Sequence, residues 1–470
     1  MRSLATHRLV VATALICSWH SACGQSPEKT VQPDVLLVSI DSLRADHLGC
    51  YGYLRDTSPR IDQLADEGVR FDTVVSTTSW TLPAHAALFT GLFDPAHGTT
   101  DVDRRLADGY DTLAERFRAA GWITAGFYAG PLLHPTFGLN QGFNSWISCM
   151  STPASTLDDH SDLETLFEAN TSSHADVTGP RTLEAVQSFL EDGPDGALFL
   201  FVHLWDPHYD YIPPAPYDRF FDPDYAGSLD VRAYPFNDSV HAEMDRRDLE
   251  HVIALYDGEI RFTDATLAKL LELLDHARPE RPRLTIVTAD HGEEFFEHGG
   301  KGHQQTLFEE SIRVPLLLHW PGKLPAGRVV SGPASLVDVA PTVFSLAGID
   351  SPARFQGIDL SSAIRGQAVP SRGLHQLLAV GGRRIEALRT KNHKLMRADG
   401  LVAHVNLETD PRELDLRPGP PPDNPSLAPL LEAILADSRS LRTAFGGDNA
   451  EARRIDPALA ERLRALGYVQ

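Results

Sequence analysis

The sequence predicts an α/β fold: a large, mostly parallel sheet flanked by helices on both faces, followed by a smaller C-terminal antiparallel α+β subdomain. Three observations predict it. Short apolar runs recur through residues 33–349 without polar alternation, as in strands buried on both faces. Between the runs lie segments whose apolar residues share one helical face. Beyond residue 349 the pattern changes to shorter, hairpin-like strands. Strands that alternate with helices build a sheet whose ligands bind beyond the carboxyl ends of the strands.

The strand runs are "DVLLVSID" (Asp34 to Asp41), "WITAGF" (Trp122 to Phe127), "ALFLFVH" (Ala197 to His203), "RLTIVTAD" (Arg283 to Asp290) and "VPLLLHW" (Val314 to Trp320). The helical sets are Leu113, Phe117 and Ala120; Leu183, Val186 and Leu190; and Leu267, Leu270, Leu271 and Leu274. Two polar insertions, Ser151 to Gly179 and Pro213 to Arg247, read as long loops, and the second mixes aromatic and acidic residues of a kind that walls a site. In residues 350–470, "ARFQGIDL", "EALRTKNHKLMR" and "LVAHVNLETDP" read as a small antiparallel sheet. "RPGPPPDNP" (Arg417 to Pro425) is a stiff linker before a terminal helix on which Leu459, Leu463 and Leu466 share a face.

Composition sets the outer bounds. With 42% hydrophobic residues the chain is an ordinary globular protein, and a formal charge of -22 argues against nucleic acid and offers no basic patch for anionic lipid. Residues 1–25 stand apart: Arg2, His7 and Arg8 precede the apolar run Leu9 to Cys17 and then "SACG", the pattern of an export signal. That run is short of the roughly 20 residues a membrane span needs. Cys23 after "HSA" offers a point of lipid attachment, although His20 stands where such sites usually carry an aliphatic residue. The expected location is therefore periplasmic, extracellular or lipid-anchored. Cys50 and Cys149 read as two separate buried thiols.

Asp41 ends the first strand, and Asp290 with His291 ends a later one in "TADHGEEFFEHGG"; His203 ends a third. Carboxylates and an imidazole leaving neighbouring strand ends suit one divalent cation, zinc or manganese rather than calcium because of the imidazole. "SWTLPAHAALFTG" puts the hydroxyl of Thr81 just before Pro83 and a run of alanines, a helix start that favours an anion. Thr81 also fits a plain N-cap. Glu293, Glu294 and Glu297 read as a solvated helix face.

"VLLVSIDSLRADHLGCYGY", "SPRIDQLADEGVRF", "TLPAHAALFTGLFDPAHG", "DPHYDYIPPAPY", "YDGEIRFTD", "TADHGEEFFEHGG" and "LFEESIRVPLLLHWPG", in this order, closely resemble the sulfatase family of the alkaline phosphatase superfamily. The resemblance implies a catalytic domain over residues 33–349, with the C-terminal segment through "LRALGYV" as the family's smaller domain. It implies a divalent metal on Asp41, Asp290 and His291, with Thr81 beside it. It places Thr81, His85 and His208 in catalytic positions, and Lys301 or His303 where the family carries a substrate-binding lysine. Two-metal relatives would draw a second ion to Asp206, His208 and His303. On spacing alone, however, His208 is a turn histidine beside Pro207, and Lys301 and His303 each fit a solvated loop charge as well as a substrate-binding role.

The departures concern the nucleophile. The family motif C/S-x-P-S/A-R corresponds to Thr81, Leu82, Pro83, Ala84 and His85. In sulfatases the Cys or Ser becomes formylglycine, and threonine cannot: oxidising its secondary alcohol gives a ketone, which hydrates poorly. Ser42 replaces a second metal-binding Asp, His85 replaces the motif's Arg, and no GKWH-like block occurs near "FYAGPLLHPTFG". Threonine is the nucleophile of phosphodiesterase and phosphoalcohol-transferase branches of the superfamily. The expectation is thus a metal-dependent ester hydrolase leaning toward phosphate esters or diesters of a small molecule, glycan or lipid. The alternatives are a sulfuric ester hydrolase working without formylglycine, and an inert binder of sulfated or phosphorylated glycans.

Overall fold

The computed structural model describes residues 31–151, 176–350 and 354–446, with Pro457. The expected export signal with Cys23, most of the insertion 151–179, and the face of Leu459, Leu463 and Leu466 lie outside the described residues. Among the described residues no helix is long and apolar enough to cross a membrane.

The strands are β1 (Asp34–Ile40), β2 (Val69–Val75), β3 (Ile123–Tyr128), β4 (Ser145–Ser148), β5 (Leu198–Leu204), β6 (Arg283–Ala289), β7 (Glu294–Phe295), β8 (Lys301–Gly302), β9 (Arg313–Val314), β10 (Leu316–His319) and β11 (Arg328–Ser335). Nine of them form the main sheet, in the order β11-β2-β10-β6-β1-β5-β3-β4 with β9 beside β2. Pairing is parallel throughout β6-β1-β5-β3-β4 and between β11 and β2, whereas β10 and β9 run antiparallel to their neighbours. β1 and β5 are buried at every position, which is why their sequences show no alternation.

The helical patterns fall on helices Leu113–Ala119, Gly179–Glu191 and Arg246–Ala277. Thr112 starts the first with a reciprocal capping box to Glu115. Phe117 stacks on Phe199 of β5 with ring centroids 4.4 Å apart, so this helix covers the sheet through aromatic contact. Leu267, Leu270, Leu271 and Leu274 of the last helix are buried, as their spacing predicts. The insertion 213–247 is a long loop as far as Asp245, with short 3-10 turns at Tyr217–Arg219 and Tyr234–Phe236, and its last two residues begin helix Arg246–Ala277.

The C-terminal antiparallel sheet is β12 (Leu374–Val380), β13 (Arg383–Arg389), β14 (His393–Ala398), β15 (Leu401–Asn406) and β16 (Arg417–Pro418), paired in chain order. The proline-rich linker leads into helix Leu427–Ala444, which buries Leu427, Leu431 and Leu435 against Leu388 and Leu395 of this sheet. The C-terminal region grips the segment that carries Thr81. The Leu377 amide donates to the Thr77 carbonyl (2.8 Å), and the amides of Gln356 and Gly357 donate to the Gly91 carbonyl (3.1 Å each). Both ends of helix Thr81–Thr90 are thereby held from residues beyond 349. Cys50 and Cys149 are unpaired, as expected.

Candidate functional site

Parallel register brings the strand ends together. Ile40 pairs with Leu204 on one side and with Ala289 on the other, so Asp41 and Asp290, each one residue beyond its strand, leave the sheet side by side. Ser42 then adopts a left-handed conformation (φ 55°), its carbonyl held by the Tyr256 hydroxyl at 2.7 Å. That turn aims its amide at Asp290 Oδ1 (3.2 Å) and its hydroxyl at Asp41 Oδ1 (2.9 Å). Thr81 is the first residue of its helix, Thr81–Thr90, and the N-cap is Trp80, so the N-cap reading of Thr81 does not hold. The Thr81 hydroxyl lies 3.4 Å from Asp41 Oδ2 and 3.5 Å from His291 Nε2.

The donor chemistry of this cluster fits a cation. His291 donates from Nδ1 to the Gly292 carbonyl (2.9 Å) and His203 from Nδ1 to the Ala129 carbonyl (2.8 Å), so each ring presents an Nε2 lone pair inward. His291 Nε2 faces Asp41 Oδ1 at 3.7 Å and Asp290 Oδ2 at 3.6 Å, and His203 Nε2 faces Asp41 Oδ2 at 3.3 Å. Lone pairs facing one another in a dry interior repel unless a positive charge sits among them. Asp290 Oδ2 and His203 Nε2 are buried without a hydrogen-bond partner, as atoms reserved for such an ion would be. Asp41, Asp290 and His291 lie close enough to share one ion. Burial raises the Asp41 carboxyl to about 6, and it raises Asp290 too, with the Asp41 charge adding to the effect. Sequence reasoning placed His203 at a strand end and left it out of the metal set; that position was the available signal.

His85 stands differently from its expected catalytic role. Its Nδ1 donates to the Thr81 carbonyl (2.8 Å) and its Nε2 accepts from the Ser39 hydroxyl (3.0 Å), which occupies both nitrogens. Burial lowers its pKa to about 3, so it is neutral, and it packs edge-on against Phe201 and His203. It supports the first turn of the helix from below and does not stand in for the cationic arginine of the motif.

His303 and His208 lie beside the cluster, and Lys301 stands two residues before His303. The His303 ring lies 4.4 Å from His291, 4.9 Å from His208 and 4.8 Å from Tyr209, and its Nδ1 meets Glu293 Oε1 at 3.0 Å. His208 stacks on Trp205 at 3.8 Å and its Nδ1 donates to the Tyr209 carbonyl. The Lys301 ammonium donates to the carbonyls of Asn237 (2.8 Å) and Val240 (2.7 Å), so it is neither a solvated loop charge nor pointed at Thr81. Glu293 and Glu294 are fully buried, and Glu294 lies in β7, which corrects the solvated helix face; chain return after His291, unseen in the sequence, puts them inside.

Asp206 also departs from its expected place as a second-metal donor. Its carboxylate accepts from the Thr178 amide (2.8 Å), the Thr178 hydroxyl (3.1 Å) and the Gly179 amide (3.4 Å), the unpaired donors at the start of helix Gly179–Glu191. Asp206→Ala is therefore expected to cost about 1–2 kcal/mol of stability, the usual loss for a helix-start acceptor, with unchanged metal content. Chemical denaturation and metal analysis of the same preparation check both halves.

A family model described as Sulfatase matches residues 33–349, and one described as N-sulphoglucosamine sulphohydrolase, C-terminal, matches residues 297–416. The chain is similar to the ulvan-active sulfatase of Formosa agariphila, 26% identical over 375 residues covering 75% of this chain and 69% of that protein. It is also similar to N-acetylgalactosamine-6-sulfatase of Canis lupus familiaris, 25% identical over 384 residues covering 75% and 70%. Among solved structures, the phosphonate monoester hydrolase of Agrobacterium radiobacter superposes with a TM-score of 0.65 at 22% identity, covering 88% of this chain and 96% of that one. The phosphonate monoester hydrolase of Silicibacter pomeroyi gives 0.67 at 20% identity, covering 91% and 100%.

Proposed function

From the premise that this chain belongs to the sulfatase family and is an ester hydrolase, we propose that it cleaves a phosphate ester or diester through Thr81 with a divalent cation. One observation carries the reading: a hydroxyl that cannot become formylglycine lies within 3.5 Å of both Asp41 and His291. The fold leaves the ester class open, since sulfatases and phosphonate hydrolases share it, so the preference for phosphorus rests on the residue at position 81.

A cation on Asp41, Asp290 and His291 would supply Lewis-acid polarisation of the ester and lower the pKa of the hydroxyl. The protein's own residues do the rest. The Thr81 hydroxyl already donates toward Asp41 Oδ2, so its hydrogen has an acceptor as the oxygen attacks. The new bond is from Thr81 oxygen to phosphorus, and the bond from phosphorus to the alcohol oxygen breaks. The proton lost by Thr81 is matched by the one the departing alkoxide takes up. Water then takes the phosphoryl group from Thr81, which regains its hydrogen. His85 fixes the carbonyl of Thr81, and Ser42 fixes both carboxylates. We take the substrate to be a small-molecule, glycan or lipid ester met outside the cytoplasm, as the export signal at residues 1–25 suggests.

The second reading is sulfuric ester hydrolysis without formylglycine, favoured by the sulfatase relatives. Aryl sulfates, phosphate monoesters and phosphate diesters assayed side by side separate the two. Phosphate turnover that dominates and vanishes with Thr81→Ala supports the first; dominant sulfate turnover lost in the same variant replaces it. The inert-binder reading returns only if the protein binds no divalent metal at all.

A further inference from the structure

A cavity of about 540 Å3 lies between the insertion 213–247 and the turn at residues 296–305. His303 and Tyr209 form its inner wall, and the His303 ring is the one that lies 4.4 Å from His291. The Gln304 amide donates to the Ser79 carbonyl (3.0 Å), two residues before Thr81, so the same wall is pinned to the nucleophile's segment. The cavity is thus one aromatic ring away from the reacting centre. The outer wall comes from the insertion, and Lys301 holds it there: its ammonium bonds the carbonyls of Asn237 and Val240 and lies 5.6 Å from the centre of the Tyr234 ring.

Carboxylates outnumber ammonium and guanidinium groups in the lining. Asp238 and Glu243 stand exposed on the insertion, Glu243 beside His241 at 3.5 Å. Lys301 is the sole Lys or Arg of the lining, and it faces the insertion's main chain. Tyr209 and Phe296 contribute aromatic surface to the same cavity. Carboxylates and ring faces attract a cation and repel an anion, and the protein's charge of -22 reinforces this.

We propose that this cavity holds the leaving alcohol of the ester, selecting an ammonium-bearing alcohol over an anionic one, with Lys301 as a positioning residue that keeps its outer wall in place. The proposal rests on the hydrolase reading above. It assigns Lys301 to the wall of the site and not to the phosphoryl group, and it disfavours polyanionic leaving groups.

The test uses the full-length protein and methyl aryl phosphate diesters whose 4-nitrophenol leaving group carries either a trimethylammonium or a carboxylate substituent. Wild type is expected to favour the ammonium ester in kcat/KM by about tenfold at low ionic strength, a ratio that shrinks with salt. Asp238→Asn with Glu243→Gln is expected to remove most of that preference. Because wild type and the double variant see the same leaving groups, differences in the leaving groups' intrinsic reactivity cancel when the two ratios are compared. Lys301→Met is expected to raise KM by about tenfold for all aryl esters with kcat nearly unchanged, and to open the insertion to limited proteolysis. A ratio unaffected by the double variant, a preference for the carboxylate ester, or a Lys301→Met defect confined to kcat overturns the proposal. The matching aryl sulfates, run in parallel, show the same charge preference if only the ester class was misjudged. A wild-type protein with no charge preference but intact Thr81-dependent turnover defeats the cavity assignment alone.

Discussion

Thr81→Ala is expected to lower kcat by about four to six orders of magnitude on whichever ester the protein turns over, because nucleophile removal costs this much in enzymes that form a covalent intermediate. The fold should survive the change. Thr81 is almost fully buried, but its hydroxyl makes only long contacts of 3.4 and 3.5 Å, so little native-state stabilisation is lost. Thr81→Ser keeps the hydroxyl and should stay within about tenfold of wild type, losing only the rotamer restriction of a β-branched side chain. Mass spectrometry of the Thr81 peptide after rapid quenching checks the chemistry directly: a phosphoryl adduct is expected in wild type and in Thr81→Ser, and none in Thr81→Ala. Full turnover in Thr81→Ala would eliminate Thr81 as nucleophile.

Removing the divalent metal is expected to abolish turnover and to lower the melting temperature by several degrees. Saturating metal at about a thousand times its dissociation constant contributes about 4 kcal/mol. Zinc or manganese should restore both properties better than calcium, because His291 supplies an imidazole to the site. The pH dependence has a definite sign. Burial raises the Asp41 carboxyl from 3.8 to about 6, so the folded state holds a proton there that the unfolded chain has already released. Without metal, stability is therefore highest at low pH on this account. It falls by about 3 kcal/mol as pH rises from about 4 through 6, where the carboxylate must be buried charged. With metal bound the trend reverses, since the ion competes with the proton and binds more weakly below pH about 6. Asp290→Asn should abolish metal binding and yet make the metal-free protein more stable at pH 8, since one of two mutually repelling buried charges is gone. Its Oδ1 would still accept from the Ser42 and His291 amides. Melting curves with and without chelator, across pH, read out all of these effects.

The parts of the site that lie at strand ends were legible in the sequence. Asp41, Asp290 and His291 follow apolar runs whose length and lack of alternation mark them as buried parallel strands, and parallel register makes their ends coincide. Thr81 was legible as a helix start because Pro83 and the alanines suit one. His203 was visible at a strand end but could not be assigned, since its role depends on which nitrogen the Ala129 carbonyl engages. Residues in irregular segments were hardest to place. Lys301 looked like a substrate cation because no spacing rule reveals that carbonyls more than sixty residues earlier in the chain hold it. Asp206 looked like a metal donor because its partner amides belong to a helix start 28 residues earlier in the chain, with a helix and a strand between.

By itself, then, the sequence determined the strand order of events along the chain, the carboxylates and imidazole that leave the central strands, and a hydroxyl that cannot follow the formylglycine route. Periodic burial and side-chain chemistry are local properties, and they survive being read one residue at a time. Only the tertiary structure decided which lone pairs face one another, that His85 is neutral and fully bonded beneath Thr81, and that Lys301 ties down the insertion. It also decided that β12 and residues 356–357 brace both ends of the helix Thr81–Thr90. Each of these depends on contacts between residues far apart in sequence, where direction within hydrogen-bond distance, and not residue type, sets the chemistry.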